Sequence, residues 1–99
     1  MTRVVLSARV RHDLERIEQH LLLHDAVDVE GRVAEILSGL VILESHPLIG
    51  RKVAGNRREL VIGRGSHGYV ALYAYDAGAD ALVVAALRAQ RGQIGRAHV

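Results

Sequence analysis

Residues 57–87 read RRELVIGRGSHGYVALYAYDAGADALVVAAL, and this stretch decides the fold. It contains three runs of strand length, which are Arg57–Ile62, Tyr69–Tyr75 and Ala81–Leu87. The connections between them, Gly63–Gly68 and Asp76–Asp80, are short and contain glycine. Such connections allow hairpins but leave no room for a crossover helix, so the three runs are predicted to form an antiparallel meander.

The residues before this stretch predict two helices. Apolar residues recur at helical spacing from about Ala8 to His24, and again from Val29 to about Glu44. The repeating residues are Val10, Leu14, Ile17 and Leu21 in the first run, and Val29, Val33, Ile36, Leu37, Leu40 and Leu43 in the second. His24-Asp25 lies between the runs, where there is room only for a tight connection, and this predicts a helical hairpin. Pro47 and Gly50 end the second helix because proline cannot continue its hydrogen bonds and glycine tolerates a turn.

The segment Val4-Val5-Leu6 reads as a short first strand. The predicted fold class is therefore α+β, with an N-terminal strand, a two-helix hairpin and then a three-stranded antiparallel meander. The helical hairpin is expected to pack on one face of the sheet, with the first strand added to it. Residues 1–99 are expected to form a single domain, in which about residues 92–99 are a flexible tail.

The composition excludes several classes of protein. The chain has 99 residues and no cysteine, so it has neither a disulfide framework nor a thiolate metal site. The apolar run near Met1 is too short for a signal peptide, and no stretch reaches the roughly 20 apolar residues that span a bilayer. A soluble, cytoplasmic protein without membrane contacts is therefore expected.

Charge is distributed unevenly along the chain. Through Ile49 there are five arginines against eight acidic residues, a net charge of −3. From Gly50 onward there are eight lysines and arginines against three acidic residues, a net charge of +5. A basic half of this kind predicts contact with an acidic partner or with nucleic acid.

Two motifs resemble ligand-binding sites, one for a dinucleotide and one for a metal, but the sequence around each lacks the other parts of such a site. Gly63–Gly68 has the letters G-x-G-x-x-G, but a strand follows it where a dinucleotide site needs a helix, so it is interpreted as a hairpin loop. His20 and His24 share a helical face at a spacing that suits a metal, yet no third ligand is evident. No metal and no cofactor are expected.

The three tyrosines of the chain alternate along one predicted strand. Tyr69, Tyr73 and Tyr75 therefore share a face, opposite the face of Val70, Leu72 and Ala74. If the aliphatic face packs on the helices, the tyrosines line the open face of the sheet, where they would stack bases or receive a peptide. The alternative is that the rings are half-buried and stiffen the strand.

Two arginines lie among apolar strand residues. Alternation puts Arg58 on the face of Leu60 and Ile62, and it puts Arg88 on the face of Leu82, Val84 and Ala86. One interpretation is an internal ion pair, for which Glu59 lies on the opposite face and the possible partners are Asp13, Glu44 and Asp80. The other is an anion-binding groove made by Arg51, Lys52, Arg58, Arg88 and Arg91.

The order of five short motifs along the chain is typical of one family. The motifs are Asp13-Leu14-x-x-Ile17, His46-Pro47-x-x-Gly50-Arg51, Arg58-Glu59-Leu60, Tyr69-x-x-x-Tyr73 and Arg88-x-x-Arg91. In this order, from about Val4 to Arg91, the sequence resembles the RelE/ParE superfamily, the toxins of bacterial type II toxin–antitoxin pairs. The resemblance implies a cognate antitoxin, often acidic, whose C-terminal segment wraps the toxin. It also implies that operator DNA is contacted only through the antitoxin.

The resemblance leaves two activities open. RelE-like toxins cut messenger RNA in the ribosome, and the residues here would be Arg58 and Arg88 on the phosphate with Tyr69, Tyr73 or His67 in proton transfer. ParE-like toxins poison DNA gyrase and have no known hydrolytic site. Gly92-Gln93-Ile94-Gly95 stands where RelE-like toxins often have a tyrosine, and the chain has a single lysine. These departures favour the ParE-like branch, with no catalytic residues.

For a gyrase inhibitor the expected target contacts are Arg51, Lys52, Arg58, Arg88 and Arg91, and the expected outcome is growth arrest and plasmid stabilisation. A third reading is a degenerate toxin that survives as a binding module. The antitoxin is expected to bind apolar residues that lie off the main helical stripes, which are Leu22, Leu23, Val41 and Ile42. The alternative is that these four residues complete the core.

Overall fold

The computed structural model describes residues 1–24 and 26–90, and it confirms the α+β fold class. Arg91 and the predicted tail at residues 92–99 lie outside the described residues, as does Asp25. In chain order the elements are β1 (Arg3–Leu6), α1 (Ala8–Leu23), α2 (Val29–Val41), a 3-10 turn (Ile42–Glu44), β2 (Arg51–Ala54), β3 (Arg57–Ile62), a second 3-10 turn (Gly65–His67), β4 (Tyr69–Asp76) and β5 (Ala81–Ala89).

The sheet has five strands in the order β1-β5-β4-β3-β2. Strands β3, β4 and β5 form the predicted antiparallel meander, and β1 runs parallel to β5. Strand β2 was not predicted. Its sequence, Arg-Lys-Val-Ala, does not alternate between polar and apolar residues, and all four residues are exposed. They form a strand because they pair with β3 through a turn at Gly55 (φ 56°).

Both helices begin at a side-chain cap and lie on one face of the sheet. The Ser7 hydroxyl accepts a hydrogen bond from the N–H of Val10, and the Asp28 carboxylate accepts one from the N–H of Gly31. The predicted helical stripes supply most of the helical contribution to the core, where the buried residues are Val10, Leu21, Ile36, Leu40 and Leu43. Of these, Val10, Ile36, Leu40 and Leu43 belong to one cluster with Leu82, Val84 and Leu87 of β5.

A buried carboxylate attaches α1 to β5. Asp13 is 3% exposed, and its Oδ2 accepts a hydrogen bond from the N–H of Leu87 at 3.0 Å. Strand β1 pairs with β5 only as far as Leu6, so the next backbone groups of β5 on that side have no strand partner there. Two side chains bind these backbone groups instead. Asp13 accepts from the N–H of Leu87, and the Ser7 hydroxyl donates to the carbonyl of Ala85 at 3.2 Å.

The expectation that the tyrosines line the open face is wrong. Tyr69 and Tyr73 lie in the core under the helices, and Tyr75 packs against its edge. The chain has no phenylalanine and no tryptophan, so the tyrosines are the only aromatic rings available to fill the core. The face assignment failed because alternation shows which residues share a face but not which face the helices cover.

Tyr73 also holds the loop that leads from the second helix to the sheet. Its hydroxyl accepts a hydrogen bond from the N–H of Gly50 at 2.8 Å, and Arg58 donates to the carbonyl oxygens of Gly50 and Leu48 at 2.8 and 3.2 Å. A Cβ on Gly50 would lie 2.7 Å from the Tyr73 ring and 2.8 Å from the Glu59 carbonyl oxygen. Glycine at position 50 therefore allows the close approach.

We expect Tyr73→Phe to lower the free energy of unfolding by about 1–3 kcal/mol, because the buried N–H of Gly50 would lose its acceptor while the ring remains. Tyr69→Phe is the matched control, since within the described part of the chain the Tyr69 hydroxyl makes no hydrogen bond. Its effect should stay within about 0.5 kcal/mol. Urea unfolding measures both values, and equal losses would contradict the role of the hydrogen bond.

Asp80 is expected to add an acid dependence to stability. Its Oδ1 accepts hydrogen bonds from the Thr2 and Tyr75 hydroxyls at 2.7 and 2.9 Å, and these bonds lower the pKa of Asp80. A lowered pKa stabilises the fold above the unfolded value of about 3.9, and this stabilisation is lost as the pH falls through the folded-state pKa. Asp80→Asn keeps an acceptor oxygen but does not titrate.

Unfolding free energies measured from about pH 6 to pH 2 should therefore fall more steeply for the wild type than for Asp80→Asn. Parallel curves would show that Asp80 does not contribute to the acid dependence.

Candidate functional site

A register shift decides which side chains share the open face of the sheet, the face without helices. In the pairing of β4 with β5, Leu72 lies opposite Ala86 but Tyr73 lies opposite Val84, so β5 has one extra residue at this point. The extra residue reverses the alternation of the rest of β5. Leu87 is buried in the core, and Arg88 pairs with Val70 on the open face. The prediction that Arg88 shares a face with Leu82 and Val84 is therefore wrong.

Three charged residues meet on this open face. Glu59 Oε1 lies 2.9 Å from Arg51 Nη2, and Glu59 Oε2 lies 3.6 Å from Arg88 Nη2. The Glu59 side chain is 22% exposed, whereas those of Arg51 and Arg88 are 78% and 50% exposed. Two guanidinium groups share one carboxylate, so the cluster keeps an excess positive charge that faces solvent.

The predicted ion-pair partners need correction. Glu59 had been placed on the face away from Arg88, but the shift in β5 brings the two together. Asp13 instead pairs with Arg16 at 3.0 Å and with Arg9 at 3.9 Å, and Asp80 accepts the Thr2 and Tyr75 hydroxyls. The pairing of Arg51 with Glu59 could not be predicted because strand β2 was not predicted, and it is the pairing of β2 with β3 that puts Arg51 directly opposite Glu59.

Lys52 and Arg58 lie on the other face of the β2–β3 hairpin. Arg58 pairs with Tyr73 in the register of the sheet, and Lys52 pairs with Arg58. Lys52, Arg58 and Tyr75 line a depression of about 380 Å³. The four described arginine and lysine residues of the predicted groove thus form two basic clusters on opposite faces, Arg51 with Arg88 and Lys52 with Arg58.

The candidate proton-transfer residues differ in their access to solvent. Tyr73 is fully buried and its hydroxyl is occupied by the N–H of Gly50, so it cannot reach a substrate in this conformation. Tyr69 is also buried. His67 is exposed, and it lies next to the end of β5 because the N–H of Gln90 donates to the carbonyl of Gly68.

Among residues 1–24 and 26–90 there is no group of three histidine, cysteine, aspartate or glutamate side chains that could hold a metal ion. The rings of His20 and His24 lie 4.2 Å apart, and His24 Nδ1 is 2.8 Å from the carbonyl oxygen of His20. In the same part of the chain, no helix is long and apolar enough to cross a membrane.

The four apolar residues predicted to bind an antitoxin are exposed. The exposed fractions are 60% for Leu22, 81% for Leu23, 56% for Val41 and 47% for Ile42, so these side chains do not complete the core. Leu22 and Leu23 lie at the end of α1, close in sequence to the start of α2, whereas Val41 and Ile42 lie at the far end of α2. The length of α2, roughly 20 Å, separates the two patches.

A groove beside the second patch contains residues that were not predicted. It runs between α2 and β3, has a volume of about 430 Å³, and is lined by Ile42, Ile49, Leu60 and Ile62 among others. Gly39 lets the helix approach, since a Cβ there would lie 2.8 Å from Ile62. The sequence signal for this groove is Ile49, an apolar residue that directly follows Pro47-Leu48. In the structure Ile49 is exposed.

Comparison with known proteins identifies the family. The family model described as ParE toxin of type II toxin-antitoxin system, parDE, matches residues 4–93. The chain belongs to the ParE/RelE superfamily of type II toxins. The toxin is 35% identical over 88 residues to Toxin RelE3 of Caulobacter vibrioides, which covers 89% of this chain and 94% of that protein.

Two solved structures share the fold of the toxin. One is the chromosomal ParDE system from P. aeruginosa, with a TM-score of 0.73, 16% identity, and coverage of 90% of this chain and 96% of that chain. The other is the toxin–antitoxin complex RelBE2 from Mycobacterium tuberculosis, with a TM-score of 0.62, 17% identity, and coverage of 90% and 98%. The resemblance inferred from the five motifs is confirmed.

Removing the Glu59 charge should strengthen polyanion binding at the open face, because Arg51 and Arg88 would no longer share a carboxylate. We expect Glu59→Gln to bind a single-stranded oligonucleotide more tightly than the wild type. Its salt slope, log Kobs against log salt, should be steeper by roughly 0.7 for one additional phosphate contact. Glu18→Gln makes the same charge change on an exposed residue of α1. An equal gain in both variants would contradict a specific role for Glu59.

Proposed function

We propose that this toxin is a ParE-like inhibitor of DNA gyrase that is neutralised by a cognate antitoxin. The observation that carries the proposal is the arrangement at the open face. Arg51 and Arg88 are solvent-exposed around Glu59, while the tyrosines of the Tyr69-x-x-x-Tyr73 motif are buried. This arrangement supplies charge for binding without a tyrosine that could move a proton.

The open-face cluster would contact the target by charge and hydrogen bonding. Arg51 and Arg88 carry forked donors that suit the carboxylates of gyrase or the phosphates of DNA held by gyrase. Lys52 and Arg58 would add a second contact on the other face of the β2–β3 hairpin. Arg91 remains a predicted contact. Such an inhibitor would act in the cytoplasm, arrest growth and thereby stabilise a plasmid that encodes the pair.

A RelE-like endoribonuclease is the second candidate, and one residue favours it. His67 is exposed beside the end of β5, where it could move a proton while Arg88 stabilises the charged phosphate. The similarity to a toxin named RelE3 is compatible with this activity. The mRNA and the ribosome would then replace gyrase as the targets.

A cognate antitoxin would cover the exposed apolar surface of the helical hairpin. The patch at Leu22 and Leu23 and the patch at Val41 and Ile42 are too far apart for one short element to bury both. A partner that wraps the toxin could reach both patches. Its apolar side chains could bind in the groove between α2 and β3. The similarity in fold to ParDE and RelBE2 supports this partner, through which operator DNA would be contacted.

A supercoiling assay with purified toxin tests the proposal. The wild type should inhibit gyrase and accumulate cleavage complexes, and Arg88→Ala should need at least about ten times more protein for the same inhibition, since it loses a charged contact. Arg11→Ala, an exposed arginine of α1, is the matched control and should inhibit like the wild type. Circular dichroism checks that both variants are folded.

The same proteins are then added to translating ribosomes. Unaffected gyrase, together with codon-positioned mRNA cuts that are lost in His67→Ala, would reject gyrase inhibition and support the nuclease.

A further inference from the structure

A cleft of about 300 Å³ lies at the corner of the molecule where α1 ends, α2 begins and β5 ends. Arg16 lines it from α1 and Arg32 from α2, and its floor includes Leu21, Tyr69 and Leu87. The floor residues are buried members of the apolar interior. The cleft therefore combines an apolar floor with cationic groups on both helical walls.

The positive charge of these walls is only partly neutralised. Arg16 Nη2 lies 3.0 Å from Asp13 Oδ1, but Asp13 also accepts the N–H of Leu87 and lies 3.9 Å from Arg9. Within the described residues, no carboxylate lies within ion-pair distance of Arg32. An anion that entered the cleft would thus meet the Arg32 guanidinium, which has no carboxylate partner among residues 1–24 and 26–90, and the remaining donors of Arg16.

Exposed apolar side chains at the end of α1 and in the connection to α2 indicate what kind of molecule carries that anion. Leu23 follows Arg16 by seven residues, so it lies on the same face of α1 two turns later, and it is 81% exposed. Val27, in the connection to α2, is also exposed. Nucleic acid phosphates would leave these side chains in water, whereas an amphipathic peptide would bury them.

We propose that this cleft binds an acidic side chain of an amphipathic segment of the cognate antitoxin. The carboxylate lies between Arg16 and Arg32, and the apolar residues of the same segment cover Leu23 and Val27. The inference rests on the proposed function, because it takes the antitoxin as the partner. It assigns to Arg16 and Arg32 a role in recognition at a cleft that Arg88, one of the proposed target contacts, also lines.

The test is the affinity of purified toxin for the antitoxin that neutralises it in co-expression, measured by calorimetry. Arg32→Ala should weaken binding by about tenfold or more at roughly 50 mM NaCl, and by less at roughly 500 mM, because the lost contact is charged. Arg11→Ala removes the same charge from an exposed site on α1 and should bind like the wild type. Arg32→Lys should recover part of the affinity, which separates lost charge from a damaged fold.

A charge exchange makes the test specific. Arg32→Glu should weaken binding further, and one acidic-to-lysine change in the antitoxin segment should restore it. Wild-type affinity in Arg32→Ala would overturn this inference and leave the proposed function standing. Unchanged antitoxin affinity with weaker binding of a single-stranded oligonucleotide would assign the cleft to nucleic acid and also overturn it. A wild-type toxin that binds no antitoxin would overturn the proposed function together with the inference.

Discussion

The hydrogen bond from the N–H of Leu87 to the buried carboxylate of Asp13 is the interaction on which the functional surfaces depend. Strand β1 stops pairing with β5 at Leu6. Beyond that point Asp13 replaces the missing strand, because its carboxylate accepts the hydrogen bond of the Leu87 N–H, which would otherwise be buried without an acceptor. The same contact fixes α1 over β5. Because Leu87 is held in the core, Arg88 is directed to the opposite face, where it meets Glu59. One side chain thereby connects the helical layer to the charge arrangement of the open face.

The charge arrangement separates two basic surfaces that the sequence alone would merge. A register shift in β2 between Lys52 and Ala54 puts Arg51 opposite Glu59 on the open face and Lys52 opposite Arg58 on the other face, because successive strand residues point in opposite directions. Glu59 then restrains Arg51 and Arg88 without neutralising both. Surface ion pairs of this kind contribute little to stability, so the cluster adds little to the free energy of folding, and the role proposed for it is recognition. The buried part of the site, in contrast, is occupied by tyrosines that fill the core.

The exposed apolar surface of the helical hairpin is not continuous. It is divided between the two ends of the helical hairpin, and each end borders a cavity of its own, the cleft at Arg16 and Arg32 and the groove between α2 and β3. A partner that contacts both ends must extend along the hairpin. Such a partner gains affinity from several modest contacts spread over a long segment, and charge complementarity at one end would set its register.

The sequence by itself determined the features that depend on local periodicity. The two helical stripes and the three strands of the meander follow from which residues recur every three to four positions or every two. The five spaced motifs also sufficed for the family. Each of these features is encoded within one element or in the order of elements, so no knowledge of packing was needed.

Only the tertiary structure decided which faces and partners those elements acquire. The helices could have covered either face of the meander, and covering the tyrosine face put the aromatic rings in the core. The extra residue in β5 and the pairing of β2 moved Arg88 and Arg51 next to Glu59. A single-residue shift reverses the direction of every following side chain in a strand. That shift is set by contacts between distant segments, such as Asp13 with Leu87, which no local pattern records.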